Sequence, residues 1–163
     1  MPNRRKLFAA SLAGAALLAP RQSRAACPSI PLDRAAYDRY VALFNAADPR
    51  FTDYYDDDVK FVMQVRGKAG VLAFYARQRP YVKESLDILF FCSDATGAAA
   101  EVRGAFRCIK NCDDPSIFGR ALKAGEVQRT HGYLLYALNS HGKIAEIKGP
   151  PPEIVQPWRI ETA

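Results

Sequence analysis

The hydrophobic pattern of the chain changes its period near residue 80, and this change limits the folds available to it. After Pro80, apolar and polar residues alternate with a period of two, which predicts β-strands. The predicted strands are residues 86–92, 98–109, 126–138 and 143–148. Short turn-forming segments join the first strand to the second and the third to the fourth. Such short connections favour antiparallel neighbours.

Before Pro80, the apolar residues follow helical spacing. Asp33 can cap a first helix, which ends before Pro49, and Pro49 opens a short second helix. A strand is predicted over residues 59–63, and a third helix follows Gly67 and must end before Pro80. Three helices followed by strands predict an α+β fold, with the helices packed on an antiparallel sheet.

Residues 1–25 have the layout of an export signal. Basic residues 4–6 precede an Ala-rich apolar run, and small residues lie at the cleavage position and two places before it. The paired arginines and the weakly apolar run resemble a twin-arginine signal, which exports folded proteins. We therefore predict cleavage near Ala25 and a periplasmic location. A lipid anchor at Cys27 and a buried N-terminal helix are the alternatives.

The charge of the chain depends on this signal. The 163 residues include 23 Lys and Arg against 17 Asp and Glu, a net charge of +6. Cleavage after Ala25 removes five positive residues and no negative one, which leaves +1. Binding to nucleic acid needs a sustained basic surface, so we expect no nucleic-acid partner. No apolar run reaches the roughly 18 residues of a membrane helix, so we expect no membrane contact after cleavage.

The chain after the signal is long enough for one domain with its own core. No repeat or linker interrupts residues 26–149, which we interpret as that domain. Prolines at 150–152 and 157 predict an extended tail over residues 150–163. Trp158 is expected to hold this tail against the domain.

Export would place four cysteines in an oxidising compartment: Cys27, Cys92, Cys108 and Cys112. Cys108 and Cys112 flank a turn-like segment, so we predict a disulfide between them. A zinc site that adds His131 to these two is the alternative, although one Cys pair alone is a weak zinc pattern. Acidic residues 56–58 lack the further ligands of a calcium loop. We expect neither a metal nor another cofactor.

Four phrases of the sequence occur in a characteristic order. They are RYVALFNAAD at 39–48, YYDDDV at 54–59, GKAGVLAF at 67–74 and HGKIAEI at 141–147. In this order they resemble the NTF2-like superfamily, especially its SnoaL-like members, over residues 33–149. The resemblance implies a cone, in which a curved antiparallel sheet wraps helices around a mostly apolar pocket. It also implies a homodimer, because many relatives pair through the outer sheet face.

The superfamily includes ketosteroid isomerases, polyketide cyclases, dehydratases, lyases and non-catalytic binding domains, so the fold leaves the reaction open. Tyr40 matches the tyrosine that stabilises an enolate in ketosteroid-isomerase-like members. The position of their aspartate base corresponds to about Met63, and that of their second acid to Tyr133 or Leu134. Both carboxylates are absent, so steroid-type isomerisation is not expected. A packed, hydrogen-bonded Tyr40 without a catalytic role is the alternative.

The strand predicted over residues 126–138 carries the best polar cluster. Alternation places Arg129, His131 and Tyr133 on the same face as Leu135. If this face lines the pocket, His131 is the general acid or base, and Tyr133, Tyr40 or Arg129 binds a developing oxyanion. A solvent-facing or dimer-facing strand is the alternative.

Charged residues on the two preceding strands admit different interpretations. Asp87 shares a strand face with apolar residues and could orient His131, or it could be an exposed acid at the strand end. Glu101, Arg103 and Arg107 lie on one strand face opposite an apolar stripe, which predicts that they face solvent.

These patterns together predict a pocket for a small, largely apolar or aromatic ligand or substrate. The residues expected to line it are Tyr55, Phe61, Met63 and Leu135. The expected activity is a cofactor-free isomerase, dehydratase or lyase that uses general acid–base catalysis. A non-catalytic ligand-binding or dimerisation module is the competing hypothesis.

Overall fold

The structure is a computed structural model that describes residues 31–161. Its α-helices are α1 (Arg34–Asn45), α2 (Gly67–Gln78) and α3 (Pro115–Phe118). Its strands are β1 (Tyr55–Lys60), β2 (Val82–Ser93), β3 (Gly97–Cys108), β4 (Glu126–Leu138), β5 (Ile144–Lys148) and β6 (Glu153–Ile160). The export signal, its cleavage site and Cys27 lie outside the described residues and stay predictions.

The helices before the sheet follow the capping signals in the sequence. The Asp33 carboxylate accepts a hydrogen bond from the Ala36 amide at 2.7 Å, which caps α1. The second predicted helix is a single 3₁₀ segment, Pro49–Tyr54, instead of an α-helix. α2 begins at Gly67 and ends before Pro80, which has no amide hydrogen to continue it.

The first strand lies four residues earlier than the sequence predicts. The expected strand at 59–63 is replaced by β1, Tyr55–Lys60, so the three aspartates lie within the strand instead of before it. Tyr55 and Val59 both face the core, because residues four apart lie on the same face of a strand. A short 3₁₀ turn, Val62–Gln64, follows it, and Met63 and Gln64 have positive φ angles of 56° and 63° there.

The sheet has the strand order β1-β5-β4-β3-β2, and β6 also pairs with β4. It is mixed instead of wholly antiparallel, because β1 and β5 run parallel. β4 pairs along most of its length with β3. On its other edge, β4 pairs first with β6 and then with β5. The predicted tail therefore contributes a strand to the sheet.

Two groups of buried side chains stabilise the fold. The larger one lies between α1, α2 and the concave face of the sheet, and it includes the fully buried Tyr37, Phe51 and Tyr55. The smaller one lies under the tail, where the rings of Trp158 and Phe118 are 6.4 Å apart. In the described range, no helix is long and apolar enough to cross a membrane.

The predicted disulfide is not present in the structure. Cys108 and Cys112 are both buried in the smaller cluster, and both are free thiols. The Cys108 thiol donates to the carbonyl oxygen of Lys110 at 3.1 Å, and the Cys112 thiol donates to that of Asp114 at 3.7 Å. Each sulfur therefore has its own backbone partner and acts as a small buried apolar group.

Candidate ligand-binding cavity

A cavity of about 750 Å³ lies between the helices and the concave face of the sheet. This volume falls within the usual range for small-molecule sites. Aromatic rings make up much of its wall: Tyr40, Phe44, Phe61, Phe74, Tyr75, Phe106, Phe118, Tyr136 and Trp158. Such a wall suits a large apolar or aromatic ligand.

Alternate residues of β4 form part of the cavity wall. These are the even-numbered residues Gln128, Thr130, Gly132, Leu134 and Tyr136. Arg129, His131 and Leu135 do not line the cavity, because side chains alternate between the two faces of a strand. The sequence pattern identified correctly which residues share a face, but the expectation that this face lines the pocket is wrong. Leu135 is 44% exposed on the outer face.

On the outer face, His131 is part of a set of cross-strand charges. Its Nε2 lies 2.7 Å from Glu101 Oε1, and its Nδ1 lies 3.9 Å from Glu153 Oε2. Its ring packs edge-on against that of Tyr133, with the centroids 5.5 Å apart. Tyr133 borders the cavity but is 51% exposed. These contacts match the solvent-facing alternative for this strand.

The other two predicted polar residues also lie outside the cavity. Arg129 donates a hydrogen bond to Glu161 at 2.8 Å on the surface. Asp87 is exposed and lies opposite Arg103 in the β2–β3 ladder. No hydrogen bond between Asp87 and His131 occurs within residues 31–161, since Glu101 occupies the place beside the imidazole.

Several residues predicted for the pocket do lie there. Tyr40, Phe61 and Met63 line the cavity, and Met63 is 68% exposed at its edge. Tyr55 was expected in the wall but does not line the cavity: it is fully buried behind Tyr40, and their hydroxyl groups are 2.8 Å apart. Burial raises the pKa of both phenols, so both keep their protons at neutral pH.

The sequence patterns did not identify Glu84, which is the one charged residue in the cavity wall among residues 31–161. It lies on β2, opposite Phe106 of β3. Burial raises the pKa of its carboxyl group to about 7, although the charge of Arg79 acts in the opposite direction. Within residues 31–161 the carboxylate has no hydrogen-bond or salt-bridge partner. A single acid among Val82, Leu86 and Ile88 was the available signal, but the predicted strand began only at residue 86.

Arg79 is held close to Glu84 without binding it. Its guanidinium group lies 4.9 Å from the ring centre of Tyr75 and 5.1 Å from that of Phe51. It donates a hydrogen bond to the Ala47 carbonyl oxygen at 3.0 Å. The charge of Arg79 is therefore engaged by aromatic faces and backbone, which leaves the Glu84 carboxylate free toward the cavity.

This architecture is shared with solved structures. A Pseudomonas putida protein assigned as a polyketide cyclase is 26% identical, covers 71% of this chain and 87% of its own, and has a TM-score of 0.59. The chain has an NTF2-like fold. A Δ5-3-ketosteroid isomerase from Mycobacterium sp. is 18% identical over 76% of this chain and 94% of its own, with a TM-score of 0.58.

A third similar structure with this NTF2-like fold is a Mycobacterium tuberculosis protein in complex with estradiol-17β-hemisuccinate. It is 15% identical, covers 74% of this chain and 93% of its own, and has a TM-score of 0.56. No family model and no curated protein sequence matches the chain. At these identities the likeness establishes the fold, and the argument for function depends on the cavity itself.

Proposed function

We propose that the chain binds a small, largely apolar molecule in the cavity and moves a proton on it without a cofactor, as an isomerase. The observation that carries this proposal is Glu84, an unpaired carboxyl group in an otherwise uncharged cavity wall. Its pKa of about 7 suits a general base, because a base is most effective when its pKa is near the working pH. The fold shared with a ketosteroid isomerase supports proton transfer as the class of reaction.

The proposed step removes a proton from a carbon atom next to a carbonyl group. The Glu84 carboxylate takes this proton, and the electron pair of the broken C–H bond moves to form an enolate. The carboxyl group then returns the proton to a different carbon for isomerisation, or to the same carbon if nothing else changes. No oxidant, reductant or metal is required, since the step only relocates a proton.

Tyr40 is the residue best placed to stabilise the enolate. Tyr40 lines the cavity. Burial raises its pKa most, the hydrogen bond to Tyr55 lowers it, and the charges of Tyr37 and Glu84 raise it slightly further. If Tyr55 donates to the Tyr40 oxygen, the Tyr40 proton is available to an oxyanion in the cavity. Such pre-arranged donors commonly contribute a factor of about 100 or more to the rate.

Exchange of carbon-bound hydrogen tests this proposal before the natural substrate is identified. Enolisable bicyclic ketones such as tetralone are incubated with the protein in D₂O, and loss of the α-proton signal is followed by NMR. Glu84→Gln should reduce the protein-dependent exchange rate at least about 100-fold, because Gln cannot accept the proton. Asp87→Asn, a carboxylate on the outer face of the same strand, is the matched control and should leave the rate unchanged.

Two outcomes would oppose the enzymatic proposal. Equal exchange by the wild type and Glu84→Gln would remove Glu84 from the reaction. Tight binding of these ketones with no protein-dependent exchange would favour the competing function, a non-catalytic ligand-binding module. Binding is measured separately, by the quenching of Trp158 fluorescence, because Trp158 lines the cavity.

We also propose that this protein acts after export, on the basis of residues 1–25 alone. The intact mass of the protein from a periplasmic fraction tests this directly. The mass of a chain that begins at Ala26 is expected, whereas a full-length mass in that fraction would contradict cleavage. Replacing both paired arginines by lysine should retain the protein in the cytoplasm if the signal is of the twin-arginine type.

A further inference from the structure

Besides its tyrosines and its tryptophan, the cavity wall contains four polar side chains, and strand register places three of them close together. The four belong to Glu84 on β2, Gln78 on α2, and Gln128 and Thr130 on β4. The wall contains no Lys, Arg or His among the described residues. The polar side chains therefore offer amide and hydroxyl groups beside one carboxyl group, without a cation.

Strand register places three of these groups around one area of the cavity floor. Glu84 lies opposite Phe106, and Phe106 lies opposite Gln128, so these residues form one row across three strands. The adjacent row contains Leu86, Gly104 and Thr130 in the same way. Two strand spacings separate the backbones of Glu84 and Gln128 by about 10 Å. A ligand group that lies over β3, the middle strand, can therefore contact both Glu84 and Gln128.

The amide of Gln128 and the hydroxyl of Thr130 make no hydrogen bond to any other residue in the part of the chain that the structure describes. A polar group facing an apolar cavity loses stability unless water or a ligand satisfies it. Both side chains can donate and accept, which is the requirement for binding a hydroxyl, carbonyl or amide group.

Gly104 keeps the hydroxyl of Thr130 open to the cavity. A Cβ atom at position 104 would lie 2.5 Å from Thr130 Oγ1 and 3.3 Å from the ring of Phe106. An alanine there would force the hydroxyl group to turn away or the strands to shift. The absence of a side chain at this position in the middle strand leaves room for the Thr130 hydroxyl group.

We propose that this group of side chains selects ligands with an uncharged hydrogen-bonding head group, a hydroxyl or carbonyl carried on a large apolar body. An anionic head would meet the carboxylate of Glu84 with no neutralising cation in the wall. A cationic head would pair with that carboxylate and prevent it from accepting a proton, so a cation would bind as an inhibitor and not as a substrate. The exclusion of cationic substrates therefore rests on the proposed function, while the exclusion of anions depends only on the charges in the wall.

A series of pyrene derivatives tests this selectivity, since they share one apolar fluorescent body. The probes are 1-pyrenemethanol, 1-pyrenecarboxylate, 1-pyrenemethylammonium and 1-methylpyrene, each titrated with the purified protein at pH 8. The alcohol is expected to bind at least about tenfold more tightly than the carboxylate. The ammonium probe is expected to inhibit hydrogen exchange, because it pairs with Glu84. Tighter binding of the carboxylate than of the alcohol would overturn the proposal.

Substitutions test which side chains cause the head-group selectivity. Thr130→Val and Gln128→Met should each weaken binding of the alcohol about three- to tenfold and leave that of 1-methylpyrene unchanged, since each removes one hydrogen bond. Thr130→Ser retains the hydroxyl group and is the matched control. Gly104→Ala should weaken binding of the alcohol as Thr130→Val does, because its Cβ would displace the Thr130 hydroxyl group. Equal losses for the alcohol and the hydrocarbon would mean a general change in cavity shape and would contradict the assigned roles.

The failure of this inference is distinguishable from failure of the proposed activity. Head-group selectivity without hydrogen exchange would contradict the catalytic role of Glu84 alone. Exchange that depends on Glu84, together with equal binding of all four probes, would contradict the inference alone.

Discussion

Replacing Glu84 by Gln should remove a pH dependence from the stability of the protein. The ordinary pKa of this carboxyl group is 4.5, and burial raises it to about 7 in the folded protein. The folded state therefore holds the Glu84 proton more tightly than the unfolded state does. Between these two pKa values the wild type loses stability as the pH rises, and above about pH 7 the loss is complete.

The size of the effect follows from the difference between the two pKa values. The difference of about 2.5 between the two pKa values corresponds to about 3–4 kcal/mol at about 1.4 kcal/mol per pKa unit. This figure is an upper bound, because Glu84 lines an open cavity, where solvent screens its charge. In Glu84→Gln the side chain does not titrate, so its contribution to the free energy of unfolding is the same at every pH.

Urea unfolding followed by fluorescence provides the assay. The free energy of unfolding is measured for the wild type and Glu84→Gln at several values between about pH 5 and pH 8. The variant should gain stability relative to the wild type as pH rises, by up to about 3 kcal/mol over this range. Asp87→Asn should differ from the wild type by less than about 0.5 kcal/mol, as expected of an exposed site. A constant difference between Glu84→Gln and the wild type would refute the raised pKa.

The remaining predictions concern packing and the two faces of the sheet. Tyr40→Phe and Tyr55→Phe should each lower the free energy of unfolding in urea by about 1–3 kcal/mol, because each leaves the other hydroxyl group buried without its partner. Additive losses in the double variant would contradict this pairing. Gly149→Ala should destabilise the protein by more than about 2 kcal/mol, because the added Cβ would overlap the carbonyl oxygen of Tyr133 in β4. Gly70→Ala in α2 is the control and should be neutral or slightly stabilising, because its Cβ would make only an ordinary contact with Val65 at 3.4 Å. Similar stabilities for these two glycine variants would show that the close approach at 149 is absent. His131→Ala should change stability by less than about 1 kcal/mol and leave ligand affinity unchanged, and a large loss of affinity would contradict its position on the outer face.

The helices and most of the sheet could be predicted because their signals are local. Asp33 caps α1 as the sequence indicates, and the alternation over residues 126–138 coincides with β4. The parallel pairing of β1 with β5 was not predictable in this way. It joins segments that are distant along the chain, and no local pattern records which distant strand will be the neighbour.

The position of His131 shows where local information ends. Alternation establishes that Arg129, His131 and Tyr133 share a face, but it does not distinguish the concave face from the convex one. The register between β3 and β4 decides this, because His131 lies opposite Arg103 and Tyr133 lies opposite Glu101. The charges of β3 were correctly expected to face solvent, and His131 lies with them on the outer face.

The sequence by itself therefore determined the order of the main helices and strands up to β5 and the residues that share each face of β4. Only the tertiary structure decided which face encloses the cavity and which acid lines it. Glu84 differs from an exposed carboxylate such as Asp87 only because α2 and the neighbouring strands cover it. Its pKa depends on this covering, since desolvation arises from atoms brought together by folding and not from the residues adjacent in the chain.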